Sequence, residues 1–173
     1  MRVASAYFIP TKHFPVGQFK QRIIKALEKL SIVNGYYDED EETFAAGDKI
    51  AFEYAAIHDS DKNKLVPESS SVGYGATCPS CKTDIDEDLY DTINDYYDFE
   101  IEKGKEMDMA SLSLICPSCK TKTLLGKIIF TQPALLANQF FQFVDVDDEI
   151  SAELLSQIES EIESRLRIIY ERS

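Results

Sequence analysis

The sequence predicts an α+β fold in which a small sheet, covered by two helices, is interrupted by a cysteine-bearing insertion. Three observations predict it. An apolar run at the N-terminus stops at a proline, as a buried strand does. Two stretches, one from Gln18 and one from Ile150, repeat their apolar residues at helical spacing. Between them, runs of alternating or continuous apolar residues are separated by polar turns and by two copies of the hexapeptide Cys-Pro-Ser-Cys-Lys-Thr.

In chain order, Val3–Ile9 is the first strand, ended by Pro10 because proline cannot donate to a central ladder. From Gln18, the residues Phe19, Ile23, Ile24, Leu27 and Leu30 share one helical face. Lys20, Arg22, Lys25 and Lys29 turn mostly outward, and Asn34-Gly35 is the expected stop. The acidic stretch 36–42 leads to a second strand over Lys49–Ile57, where Ile50, Phe52 and Tyr54 alternate. Residues 58–77, rich in Asp, Ser, Lys and Gly, read as a linker. Beyond the second cysteine pair, Leu124–Thr131 and Asn138–Val146 read as strands separated by Gln132-Pro133.

The last segment places Ile150, Leu154, Leu155, Ile158, Ile162, Leu166 and Ile169 at steps of mostly three and four. Asp147, Asp148 and Ser151 precede them as candidate caps, so one helix is expected almost to the C-terminus. A ferredoxin-like arrangement is one topology this order allows. The expected organisation is a discontinuous α+β domain, 1–73 with 127–173, around an insertion at 74–126.

The insertion carries the clearest chemistry. Residues 78–83 and 116–121 are identical hexapeptides. Two residues between each pair of cysteines let both sulfurs face one ion, and proline stiffens the tight turn. Lys82 and Lys120 bring positive charge beside the thiolates. Cys78, Cys81, Cys116 and Cys119 are therefore the expected ligands of one Zn²⁺ ion, and four thiolates close its coordination shell, which suits a structural and not a catalytic metal. At these two knuckles, with Leu112–Ile115 as the strand entering the second, the chain resembles the zinc ribbons. That resemblance covers about residues 74–126 and implies a structural zinc, while the acidic spacer of 34 residues between Cys81 and Cys116 is longer than a ribbon loop and implies a helical or looped elaboration.

Composition narrows the functional classes. The 173 residues, 44% of them hydrophobic, suffice for a core. No signal peptide or membrane span is read, and a cytoplasmic location is expected, where thiols stay reduced and paired cysteines point to metal. With 18 basic and 31 acidic residues the formal charge is −13, which disfavours direct binding of nucleic acid. His13 and His58 each stand alone, without a nucleophile motif. Asp59–Asn63 and Asp84–Asp88 resemble the start of a calcium loop but lack its turn glycine. No phosphate-binding glycine motif is present, and no catalytic residues are assigned.

Between the knuckles, residues 84–108 contain eleven acids against Lys103 and Lys105, with Tyr90, Tyr96, Tyr97 and Phe99 among them. Carboxylates steer a basic partner and tyrosine supplies stiff contact area, so Asp91, Asp95, Tyr96, Tyr97 and Asp98 are the expected partner-binding residues. The chain thus resembles, in type and not by any motif, the small acidic immunity proteins that neutralise bacterial toxins. The expectation is a non-catalytic inhibitor or adaptor for a basic protein such as a toxin nuclease. A zinc-ribbon accessory factor of transcription, RNA handling or translation is the alternative.

Overall fold

A computed structural model of the chain describes residues 3–68, 70 and 73–172. The first strand, β1 (Val3–Pro10), ends at the proline and is buried along nearly its whole length, because it pairs on both sides. It is antiparallel to β10 (Leu166–Arg172) on one side and to β9 (Leu135–Val146) on the other. Beyond β9 lie β4 (Tyr54–Val66), β3 (Thr43–Ala46) and β2 (Val33–Asp38), completing a six-stranded antiparallel sheet of order β10-β1-β9-β4-β3-β2.

Helix α1 (Gln18–Lys29) follows β1, and helix α3 (Ala152–Ile162) joins β9 to β10. The six elements β1, α1, β4, β9, α3 and β10 are a β-α-β-β-α-β unit whose strands are ordered fourth, first, third, second, which is the ferredoxin-like topology. The β2–β3 hairpin is an addition that extends the sheet past β4.

The core of this body follows from the alternation of its strands. Phe8, Phe141 and Phe143 share one face of the sheet, with the Phe8 and Phe141 rings stacked at 4.5 Å. Phe19, Ile23, Ala26 and Leu27 of α1 and Ile158 and Ile162 of α3 bury against that same cluster, and the two helices touch each other. The expected pair of helices on one sheet face is therefore present.

Several boundaries differ from the sequence reading, each for a local reason. Helix α1 stops at Leu30, where Ser31 takes a left-handed φ of 56° and Ile32 N–H returns to Leu27 O; Asn34-Gly35 lies inside β2. Residues 49–53 are loop. Phe52 reaches the core by stacking on Phe143 at 4.5 Å, and the backbone pairs of Glu53 N–H with Val144 O and Asp147 N–H with Ala51 O hold the segment. The expected linker begins as strand instead, since β4 runs through His58 to Val66. Its polar side chains are satisfied: Asp59 accepts from Lys20 N–H and from Gln139 Nε2, both at 2.9 Å.

The C-terminal helix is shorter than expected. Ser151 caps α3 by accepting from Leu154 N–H, and Glu163, at φ 55°, ends it; Leu166–Arg172 then forms β10. Leu124–Thr131 is divided into β7 (Lys122–Leu124), a 3-10 turn over Leu125–Lys127 and β8 (Ile129–Phe130).

By packing, the chain divides into Met1–Ser60 with Asn138–Ser173, and Asp61–Ala137. The second unit is wider than the 74–126 span read from sequence, because the far end of β4 and the start of β9 belong to it. Its own core gathers Leu65, Tyr74, Ile85, Leu89, Ile93 and Met109, among others, around the buried Cys78 and Cys116. No helix among the described residues is long and apolar enough to cross a membrane.

Candidate metal centre

Each knuckle is a tight turn built by its own hexapeptide. In the first, Lys82 N–H donates to Cys78 O at 2.9 Å and Cys78 N–H to Thr83 O at 2.9 Å; in the second, Lys120 N–H donates to Cys116 O and Cys116 N–H to Thr121 O, both at 3.0 Å. Closing the turn requires a left-handed residue after the second cysteine, and Lys82 and Lys120 supply it at φ 62° and 60°. Their ammonium groups fold back onto Pro79 O at 3.0 Å and Pro117 O at 2.7 Å. The lysines therefore stabilise the turn through its carbonyls while keeping positive charge near the sulfurs. Short ribbons present the knuckles. The first lies between β5 (Ala76–Thr77), which pairs with β8, and a single bridge from Thr77 to Asp84; the second is the turn of the β6 (Ser113–Ile115) and β7 hairpin.

The four sulfurs meet. Cys78 Sγ lies 3.8 Å from Cys119 Sγ, Cys81 Sγ lies 3.6 Å from Cys116 Sγ, and all four fall within 4.8 Å of one another. A tetrahedral ion with metal–sulfur bonds of about 2.3 Å would hold its sulfurs about 3.8 Å apart, whereas a disulfide needs about 2.05 Å. None of the four cysteines is in a disulfide. The cluster therefore fits one structural metal ion such as Zn²⁺, in a zinc-ribbon-like site. Among the described residues no other group of three or more His, Cys, Asp or Glu ligand atoms is gathered this closely.

The surroundings prepare the sulfurs for a cation. Cys81 is lowered to about 6, first by the Thr83 hydroxyl, 3.2 Å from its sulfur, and then by the Thr83 backbone N–H. Thr121 lowers Cys119 in the same way, with its hydroxyl at 3.3 Å. Cys116 is raised to about 11: the Cys119 backbone N–H favours its thiolate, but burial and the neighbouring Cys81 and Cys119 outweigh that donation. Four sulfurs this close cannot all carry charge unaided, and a divalent cation that displaces their protons removes the conflict.

The long spacer between the knuckles is mostly one helix, α2 (Asp86–Lys103), packed on β5 and β6. Asp86, Glu87 and Asp88 occupy its first turn and Lys103 its last, each favourable to the helix dipole, and Gly104 at φ 59° closes it. The Asp86 carboxylate accepts from Gly75 N–H at 3.0 Å and Ala76 N–H at 2.8 Å, tying the helix to the strand that enters the first knuckle. Asp108 does similar work after the helix, accepting from Asn63 N–H and Nδ2 at 2.9 Å each and from Ala110 N–H. Its carboxyl is lowered because these donors outweigh burial, which acts the other way. Sequence placed Asp86 only within the calcium-like Asp84–Asp88 stretch and Asp108 only among the eleven acids, since each binds through the fold and not through a motif.

The expected partner-binding residues separate on α2. Asp91, Asp95 and Asp98 are exposed, as are Glu87 and Glu102, and the steps of four, four, three and four place all five on one face. Tyr96 does not join them. It is 2% exposed, in the apolar stripe with Leu89 and Ile93, and its hydroxyl donates to Glu100 Oε1 at 2.6 Å, with Met107 O 3.1 Å away. Burial and the Glu100 carboxylate push its pKa well above the usual tyrosine value. The spacing Leu89, Ile93, Tyr96 was the signal that could have placed it inside. Tyr97 is half-buried, with its ring edge-on to Tyr96 at 5.2 Å. The exposed surface of α2 is thus mainly carboxylate, with Ile101 standing among the acids, and its tyrosines serve mainly its core. Comparison with protein-family models, curated proteins and solved structures finds no match, so no family is assigned and the fold and site rest on the chain's own residues.

Proposed function

We propose that this protein is a non-catalytic binding module in which one structural Zn²⁺ ion, held by Cys78, Cys81, Cys116 and Cys119, braces an acidic helix for a basic protein partner. Its most specific form is an immunity protein that neutralises a basic toxin such as a nuclease. The observation that carries this reading is the exposed row Glu87, Asp91, Asp95, Asp98 and Glu102. Like charges one turn apart cost an isolated helix roughly 0.2–0.5 kcal/mol per pair, so a row of five works against the helix that bears it. A basic cleft laid along the row would turn that repulsion into attraction and would speed encounter. The metal supports the role by fixing the chain on both sides of α2, which lowers the ordering cost of binding.

The test compares the wild-type chain with D91N/D95N/D98N as baits in an extract of the source cell, followed by binding kinetics on the protein recovered. A basic protein held by the wild type, associating about tenfold or more slowly with the variant and with a flatter salt dependence, supports the reading. Equal rates and equal salt slopes for the two baits would move any interface off α2.

A further inference from the structure

The two knuckles are identical from cysteine to threonine, yet their flanks differ. The residues paired across the base of the first are Thr77 and Asp84, and those across the second are Ile115 and Lys122. Turn hydrogen bonds, left-handed lysines and lysine-to-proline contacts are the same in both. Metal binding therefore does not demand an isoleucine or a lysine at these positions. On the β6–β7 hairpin, Leu114 and Thr123 point inward, so Ile115, Lys122 and Leu124 lie on the outer face. Ile115 is 61% and Leu124 46% exposed, and as diagonal neighbours across the hairpin they fall within reach of one side chain laid between them. The charge there is also inverted. From Leu112 to Thr131 the chain carries Lys120, Lys122 and Lys127 and no Asp or Glu, in a protein of net charge −13.

We infer that the outer face of the β6–β7 hairpin docks an acidic segment of a partner protein that carries an aliphatic side chain. The aliphatic group covers Ile115 and Leu124, and the carboxylates face Lys122 and its neighbouring lysines. A nucleic acid fits less well, because the face offers no aromatic ring or arginine on which bases stack, whereas its exposed aliphatic pair suits an aliphatic side chain. The surface differs in sequence and in charge from the α2 row, so it can hold or fail independently of that reading.

A fluorescent peptide of alternating Glu and Leu is the probe, with a Glu and Ser peptide, oligo(dT) and phosphatidylserine vesicles as competitors for the same surface. The full chain should bind the Glu and Leu peptide, and Ile115→Ser and Lys122→Glu should each weaken it about tenfold, without change in metal content or α2 protection. The Glu and Ser peptide should bind no better than those variants. Unchanged affinity in both variants, preference for the oligonucleotide or the vesicles, or self-association of the chain that Ile115→Ser abolishes would each overturn the inference.

Discussion

The sheet body and the metal unit are held together by different means. The body is built on a central eight-residue strand, β1, paired on both sides in a continuous ladder, and on an aromatic core clamped by two helices. In the metal unit the paired ribbons are two or three residues long, and its core closes around two of the four cysteines. Units of this size bury too little apolar surface to be secure by packing alone, which is where a bound metal contributes most. The body is thus held by burial, whereas the second unit adds to its packing a four-cysteine cluster that a metal ion such as Zn²⁺ would lock, and the proposed binding residues lie on that unit.

The largest effect is expected at the metal. A structural zinc site contributes on the order of 10–16 kcal/mol of apparent free energy, so Cys116→Ser should unfold the second unit. In hydrogen exchange, amide protection should vanish across Asp86–Lys103 and persist across Gln18–Lys29. Loss of both together would show one cooperative core, contrary to the two separate clusters.

The converse lesion is Phe141→Ala. Phe141 is fully buried between the Phe8 and Phe143 rings, and its removal should cost about 3–5 kcal/mol of stability by denaturant titration. Metal affinity of the protein that remains folded should not change.

A smaller effect sharpens the account of how α2 is tethered. Asp86→Asn leaves the shape intact but removes the charge that accepts the Gly75 and Ala76 N–H groups, and should cost about 1–2 kcal/mol, read as faster exchange at those two amides. Exchange in β1 should be unaffected.

What the sequence disclosed depended on how local the cause was. The clustering of the four cysteines was legible because a Cys-x-x-Cys turn makes its geometry from six consecutive residues. β1 and α1 were legible because a proline and a helical period mark them. Leu166–Arg172 was misread because Leu166 and Ile169 happen to continue the helical spacing of Ile158 and Ile162, while the actual stop, Glu163 in a left-handed conformation, leaves no composition signal. The alternation of Leu166, Ile168 and Tyr170 was the competing pattern, and pairing with β1 decides it. The polar half of β4 was hidden because partners distant in sequence satisfy it, Gln139 for Asp59 and Asp108 for Asn63. Tyr96 shows the same limit at the site: an aromatic among acids looks like an interface until the helix turns it inward.

Coordination of one ion by the four cysteines should organise the second unit. Native mass spectrometry of the purified chain, before and after chelation, tests it directly. One zinc per chain is expected, lost on chelation together with amide protection of Asp86–Lys103 and regained with added Zn²⁺. A metal-free chain whose four cysteines are paired as two disulfides and whose α2 remains fully protected would contradict it.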